Sequence, residues 1–420
     1  MKKTLALTLC LLSLSYPAAS ESQSAFEAGQ AARTRGAEAF RDGDIPAALA
    51  AMEEALSFRP THPGLLGNVA YLAATTGDGG RAYAAATAYA ALGLVPGEEV
   101  QAKIKQAVTA DAWRRLEALF AKNNQKIGMF EISASFERDL VLIEGITEDD
   151  EGTLYASTVV SGGIYRRDGW KAVQIVDAKD HEFGSFFGMA FHHGALYVTF
   201  GRIAQTPGYE PDQGQTGLAK IDPKTGNVLK VWTLPDGTDG QQIADLTITE
   251  NGTIYLSDAQ GGRVYKVVGD ALQPAFTHKG FMSPQGLAEL PGIGLFLADY
   301  GRGIWRLDEK SGGIILMEPP KNTSLLGIDG LIAHKGQLYA IQNGVSPQRI
   351  IKVGFIEGEI TSIDVVAQNL EPWNEPTLGV STDDGVLYVA ASQWPKYDKW
   401  GAVRQGAKPP APTPIMLIRD

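Results

Sequence analysis

A chain of 420 residues is long enough for two or more domains, each with its own core. At 44% hydrophobic and 20% charged, its composition is globular, neither disordered nor membrane-embedded. A net charge of −11 argues against nucleic acid as a partner, because phosphate binding needs a basic surface, while 48 glycines suit a fold of many tight turns.

Residues 1–20 read as a secretory signal. Lys2-Lys3 forms the basic start, LALTLCLLSLS the apolar run, and Ala18-Ala19-Ser20 the small-residue cleavage site. The run is too short to span a membrane. Cys10 is the only cysteine and lies within it. The mature chain is therefore expected to hold no disulfide, no thiolate metal site and no cysteine nucleophile. The expectation is an exported, periplasmic protein without a membrane span.

Residues 21–126 shift to Ala, Leu, Glu and Gln with helical periodicity. Gly43-Asp44 and Gly77-Asp78 open two units 34 residues apart. Small residues recur where helices would approach closely, at Ala47, Ala48, Ala51 and Ala55, then at Ala82, Ala85 and Ala86. GDIPAALAAMEEALSFRP resembles the second helix of a tetratricopeptide repeat, and 34 residues is that repeat's period. Gly97 to Asn124 reads as one capping helix. The resemblance implies either a protein-binding face or, with barely two repeats, a cap packed on the next domain.

From residue 127 to 420 the period changes to two, the mark of strands with one buried face. A Leu-Tyr-like step recurs at Leu154-Tyr155, Leu196-Tyr197, Ile254-Tyr255, Leu295-Phe296, Leu338-Tyr339 and Leu387-Tyr388. The intervals are 42, 58, 41, 43 and 49 residues. Each holds one four-stranded blade. Third strands follow at Ile164, Val264, Ile304 and Ile350. The sixth blade ends at IMLIRD without an outer strand, which would leave an open edge. FEISASFE, with alternating Phe130, Ile132, Ala134 and Phe136, is expected to pair with IMLI and close the ring. The fold expected is thus mainly β: a six-bladed β-propeller of four-stranded antiparallel blades behind a small all-α domain.

In such a ring the entrance of each inner strand and the loop after each second strand share one mouth. The entrances are Glu144, Phe187, Ala244-Asp245, Gln285, Asp329 and Glu375. The loops bring Asp258, Asp299, Asn343 and Gln393. Carboxylates and amide carbonyls in that arrangement suit a hard cation, since Ca²⁺ takes oxygen ligands. Taken singly, each acid reads first as a solvated rim residue or a strand cap; as a ring-facing set, the ligand and structural readings stand level.

Glu144-Gly145, Gln285-Gly286-Leu287 and Asp329-Gly330 resemble, in order and in corresponding blades, the Glu-Gly-Pro, Asn-Gly-Leu and Asp-Gly motifs of the regucalcin (senescence marker protein) and gluconolactonase family. That resemblance covers about residues 127 to 420. It implies one divalent ion, Ca²⁺ first with Zn²⁺ as the alternative, held by Glu144, Gln285 and Asp329. It also implies hydrolysis of sugar lactones, with Asp329 as the base for the attacking water. Three positions depart from the family pattern: Gln285 replaces Asn, Ile146 replaces Pro, and Ala244-Asp245 replaces the family's substrate-binding step.

His181 is a candidate acid/base group near the entrance of blade two. His192, His193 and His334 read as surface residues in hairpin turns. The recurring tyrosines read as packing between blades. Trp373 and Trp394 sit in loops beside the mouth, where a sugar or aromatic ligand can stack. Asp245, Asp299, Asn343, Glu375 and Trp394 make up the expected substrate-binding set. The Pro- and Lys-rich stretch from Trp394 to Pro414 reads as a mobile loop able to cover the mouth. Two functions follow: an exported metal-dependent hydrolase of lactones or related esters, or a non-catalytic protein that binds a small molecule and, through its helical arm, a protein partner.

Overall fold

Glycine-aspartate pairs set the helical arm. Gly43 and Gly77 take φ of 80° and 79°, which lets the chain leave one helix and turn into the next. The following aspartates then cap. Asp44 accepts from Ala47 N at 3.0 Å and Asp78 from Arg81 N at 2.9 Å. The helices are α1 (Gln23–Arg41), α2 (Ile45–Phe58), α3 (Pro63–Thr75), α4 (Gly79–Ala91), α5 (Glu98–Ala107) and α6 (Ala110–Asn123). The 34-residue spacing is therefore the spacing between the N-caps of α2 and α4. Ala48, Ala55, Ala82 and Ala86 are fully buried, as close helix approach requires. The single helix expected over Gly97–Asn124 is instead two. Thr109 breaks the run and caps α6 by accepting from Ala112 N.

The computed structural model describes residues 23–129, 131–210, 214–235 and 241–419. The expected signal at 1–20, Phe130 and part of the blade-two insert lie outside the described residues. Six four-stranded antiparallel sheets follow the helices. Blade one runs Ile143–Glu148, Leu154–Thr158, Gly163–Asp168 and Lys171–Asp177 from the inner strand outward. Blades two to six open on inner strands Ser185–His192, Ile243–Ile248, Pro284–Leu290, Leu331–His334 and Gly379–Thr382. Strand Glu131–Phe136 joins the last blade as its outer strand, pairing Ala134 with Ile415 and Phe136 with Thr413. The ring closes as expected, and Arg419 fastens its seam to Glu131.

The blades stack through apolar layers. Tyr155 of blade one packs with Phe183, Met189 and Leu196 of blade two. Tyr197 packs with Ile243 and Ile254 of blade three, and Tyr255 with Leu287 and Leu295 of blade four. At the axis of blades one, four and five the inner strands come so close that the residue after the entrance has no room for a side chain. A Cβ on Gly330 would press into the Thr377 carbonyl oxygen, one on Gly145 into Phe187 O, and one on Gly286 into Asp329 O and Leu331 N.

The arm lies across the loops of blades four and five. Leu66, Leu92 and Leu94 pack on Val345, and Val95 N donates to Ser346 O at 2.7 Å. Arg349 is 4% exposed; its Nη1 donates to Leu92 O, at the C-terminal end of α4, and its Nε to Gln342 Oε1. A cation at that end of a helix faces the negative pole of the macrodipole. Gln368 Nε2 holds Asn123 O and Gln125 O below α6.

Candidate functional site

A bulge aims the entrance residues. Pairing slips between Ile143 and Ile146, between Ile243 and Leu246, and between Pro284 and Leu287. The two residues inside each slip leave the ladder and turn toward the axis. The extra N–H is taken up nearby: Gly145 N donates to Ser157 Oγ and Asp245 N to Ser257 Oγ. Register places Asp245 where blades one, two, four and five carry glycine. Its carboxylate is correspondingly deep, 9% exposed, and accepts from Leu287 N of the next blade at 3.2 Å.

Four carboxylates, Glu144, Asp245, Asp329 and Glu375, act on one another there. Glu144 and Asp329 retain some accessible surface, yet their carboxyl ends sit deep in protein. Burial, then the charge of Asp329, pushes Glu144 well above the usual carboxylate range; Glu375 and Asp245 add to the push. Burial raises Asp329 to about 6, against the hydrogen bond from Asn343. Burial and the Asp329 charge raise Asp245 and Glu375 each to about 7. Asp329 is the common neighbour of the set.

Two donors fix the principal pair. Trp394 Nε1 donates to Glu144 Oε2 at 2.7 Å. Asn343 Nδ2 donates to Asp329 Oδ2 at 2.7 Å and to Pro376 O at 2.9 Å. Those two bonds settle which way the Asn343 amide points. Its carbonyl oxygen, Oδ1, is buried and lacks a hydrogen-bond donor. A buried acceptor without a donor beside mutually repelling carboxylates is what an oxygen-seeking cation relieves. Among the described residues, no three His, Cys, Asp or Glu side chains lie close enough to chelate an ion by themselves. The oxygen set that suits one is mixed: Glu144, Asp329 and the Asn343 amide.

The other expected residues fall in different places. Gln285 Nε2 donates to Ser283 Oγ at 3.0 Å, and Gln285 adjoins Asp329 through the Gly286 N to Asp329 O bond. Asp299 does not serve the mouth: it is fully buried, and its oxygens accept from Met282 N, Ser283 N and Gly301 N. Asp258 holds Gln242 N, Gln260 N and Gly261 N in the same way. His181 is exposed and stacks on Phe183 at 5.3 Å. His334 is buried, against the surface position expected, because Ser381 of the next blade meets its Nδ1 at 2.7 Å. Trp394 offers its N–H to Glu144, and Trp373 donates to Tyr388 OH. Blade six presents Thr377 at the register of Asp329, with Glu375 two residues earlier.

The C-terminal loop is tied down. Gln393 exchanges hydrogen bonds with Ala411, and Arg404 Nε donates to Tyr397 O. Tyr397 and Trp394 pack beside Phe187 at the entrance of blade two. Sequence reasoning missed Tyr300. Its hydroxyl lies against Gly344, the residue after Asn343, and burial, then the charges of Asp329 and Glu375, raise it. Its only sequence signal is its position directly after Asp299, in the loop closing the second strand of blade four. A cavity of about 980 Å³ opens on the opposite face between the hairpin turns and reaches Asp245, but not Glu144 or Asp329.

No protein-family profile matches this sequence, and no curated protein matches it either. Solved structures resemble it in shape. The calcium-binding protein regucalcin from Agrobacterium tumefaciens strain C58 is 14% identical, with a TM-score of 0.48, over 70% of this chain and 95% of that one. The PQQ-bound aldose sugar dehydrogenase of Streptomyces coelicolor is 12% identical, with a TM-score of 0.48, over 69% and 98%. Virginiamycin B lyase from Staphylococcus aureus is 13% identical, with a TM-score of 0.45, over 69% and 100%. At these identities the likeness concerns the propeller and not its chemistry.

Proposed function

We propose that the mouth binds one divalent, oxygen-seeking cation, Ca²⁺ before Zn²⁺, and hydrolyses a lactone or related ester beside it. The observation that carries this reading is the buried Asn343 carbonyl oxygen without a donor, set against the Glu144 and Asp329 carboxylates. Glu144, Asp329 and Asn343 would hold the ion, with Gln285 adjacent. A bound divalent ion supplies Lewis acidity toward a carbonyl.

The chain's own groups do the rest. Asp329 takes a proton from the attacking water, whose oxygen forms a bond to the ester carbon. Asn343 keeps that carboxylate in one orientation. When the ring C–O bond breaks, the proton passes to the leaving alkoxide. Trp394 orients Glu144, and Tyr300 and Glu375 line the approach to Asp329.

The same reading keeps the protein exported, with residues 1–20 removed. No helix among the described residues is long and apolar enough to cross a membrane. The test is hydrolysis of a panel of γ- and δ-lactones in Ca²⁺ and in EDTA. Turnover that needs the ion and disappears in Asp329→Asn supports the proposal. An ion-loaded protein inert toward every lactone and aryl ester would leave a binding protein.

A further inference from the structure

Blade two carries a long connection between its strands Ala195–Gly201 and Gly217–Ile221, and that connection opens on Arg202. Its first turn is fixed. Thr206 is 4% exposed; its hydroxyl lies 2.7 Å from that of Ser185 at the blade entrance and accepts from Ile203 N at 3.0 Å. The arginine stem is threaded between two glycines. A Cβ on Gly184 would press into Arg202 Cγ, and one on Gly214 into Arg202 Cδ and Nε. Both glycines take positive φ, 84° and 96°, so backbone and space alike close these positions to a side chain.

The side chain so seated lacks an acceptor. Among the described residues, the buried Arg202 Nε meets no hydrogen-bond partner. A buried donor left unpaired costs stability, and a bound group that accepts from it removes that cost. A cavity of about 230 Å³ opens beside it, between the loops of blades one and two. Val160, Ala178 and Pro207 give it an apolar wall, and Arg202, Lys179 and Glu182 are its charged groups among the described residues. Two cations against one carboxylate leave a single net positive charge, in a chain whose net charge is −11. Glu144, Asp329 and Asn343 do not line this cavity.

We infer that this cavity binds a small aliphatic carboxylate, its acid group on Arg202 and Lys179 and its short apolar part against Val160 and Pro207. A planar guanidinium matches a carboxylate in two-pronged fashion, which favours the acid over its neutral amide. The single net charge of the lining suits a monoanion; a phosphate dianion brings one charge more than the lining neutralises. The cavity is smaller than the usual site for a drug-sized ligand, about 300–1,000 Å³, so the acid has only a few carbons. The inference does not depend on the reaction proposed at the mouth.

The test titrates butyrate, butyramide and inorganic phosphate into the full protein in EDTA, so that no ion at the mouth holds the anion. Ligand-observed NMR reads the weak affinities of such small acids, and the thermal midpoint checks that each variant is folded. Butyrate is expected to bind, phosphate more weakly and butyramide not at all. Arg202→Gln should lose about tenfold in affinity for butyrate, the scale of one charge-assisted hydrogen bond. Because the Arg202 stem is packed and that variant can misfold, Lys179→Gln, an exposed change, serves as the second variant and should lose about threefold. Asp329→Asn should leave butyrate binding intact, which separates this cavity from the mouth. Equal binding of butyrate and butyramide, tighter binding of phosphate than of butyrate, no butyrate binding, or wild-type affinity in Lys179→Gln would overturn the inference.

Discussion

Trp394 Nε1 and Glu144 Oε2 meet at 2.7 Å, joining the C-terminal loop to the entrance of blade one across 250 residues of sequence. The bond moderates the proton affinity that burial and Asp329 give Glu144. It also makes the indole a reporter of whatever binds that carboxylate. Adding Ca²⁺ is expected to change tryptophan emission, and Trp394→Phe should lose that change. The same change in the variant would place the ion elsewhere.

The metal-free mouth should weaken the fold as pH rises. Asp329 stands at about 6, and Asp245 and Glu375 at about 7, all above their ordinary values near 4. Between roughly pH 4 and 7 the folded chain therefore holds more protons than the unfolded one, and these groups subtract stability as pH rises through that window. In EDTA the thermal midpoint should fall from pH 5 to pH 7.5, and Ca²⁺ should remove the fall. A midpoint that climbs in EDTA over the same range speaks against the buried carboxylate group.

Glycine at the axis is a packing requirement. A methyl on Gly330 has nowhere to go but into the Thr377 carbonyl. Gly330→Ala should cost about 1–3 kcal/mol, the scale of overpacking a filled core. Urea unfolding would measure it, and a change under half a kcal/mol would mean that the inner strands part more easily than their spacing suggests.

The blades and the ring closure were legible because alternation at period two and a repeated Leu-Tyr step are local signals. The Glu-Gly, Gln-Gly and Asp-Gly pairs were equally visible, although their steric cause was not: the glycines answer to the neighbouring blade. Asp299 misled because nothing in sequence order shows a side chain turning back on its own loop to take three N–H groups. His334 misled because its partner, Ser381, comes from the next blade. The one-helix reading of Gly97–Asn124 missed that Thr109 is a cap as well as a polar residue. Blade six was misread by two residues, since Glu375 is the conspicuous acid and Thr377 the one in register.

Arg349 pins the arm. Arg349→Leu keeps the volume while removing the bonds to Leu92 O and Gln342 Oε1. A hydrogen bond from a charged group contributes about 1.5–3 kcal/mol, so the variant should lose stability on that scale. The loss should show first as faster protease cleavage between the arm and the propeller. Cleavage at the wild-type rate would mean that the apolar contact around Val345 suffices.

The most direct measurement is calorimetric titration of Ca²⁺ into EDTA-stripped protein, wild type beside Asp329→Asn. The account predicts about one ion per chain for wild type and a loss of at least a hundredfold in the variant, roughly the most that loss of an outer partner to a metal ligand costs. No heat and no thermal shift with Ca²⁺ or Zn²⁺, or equal affinity in the two proteins, would contradict it and make Glu144 and Asp329 ordinary buried acids of a propeller rim.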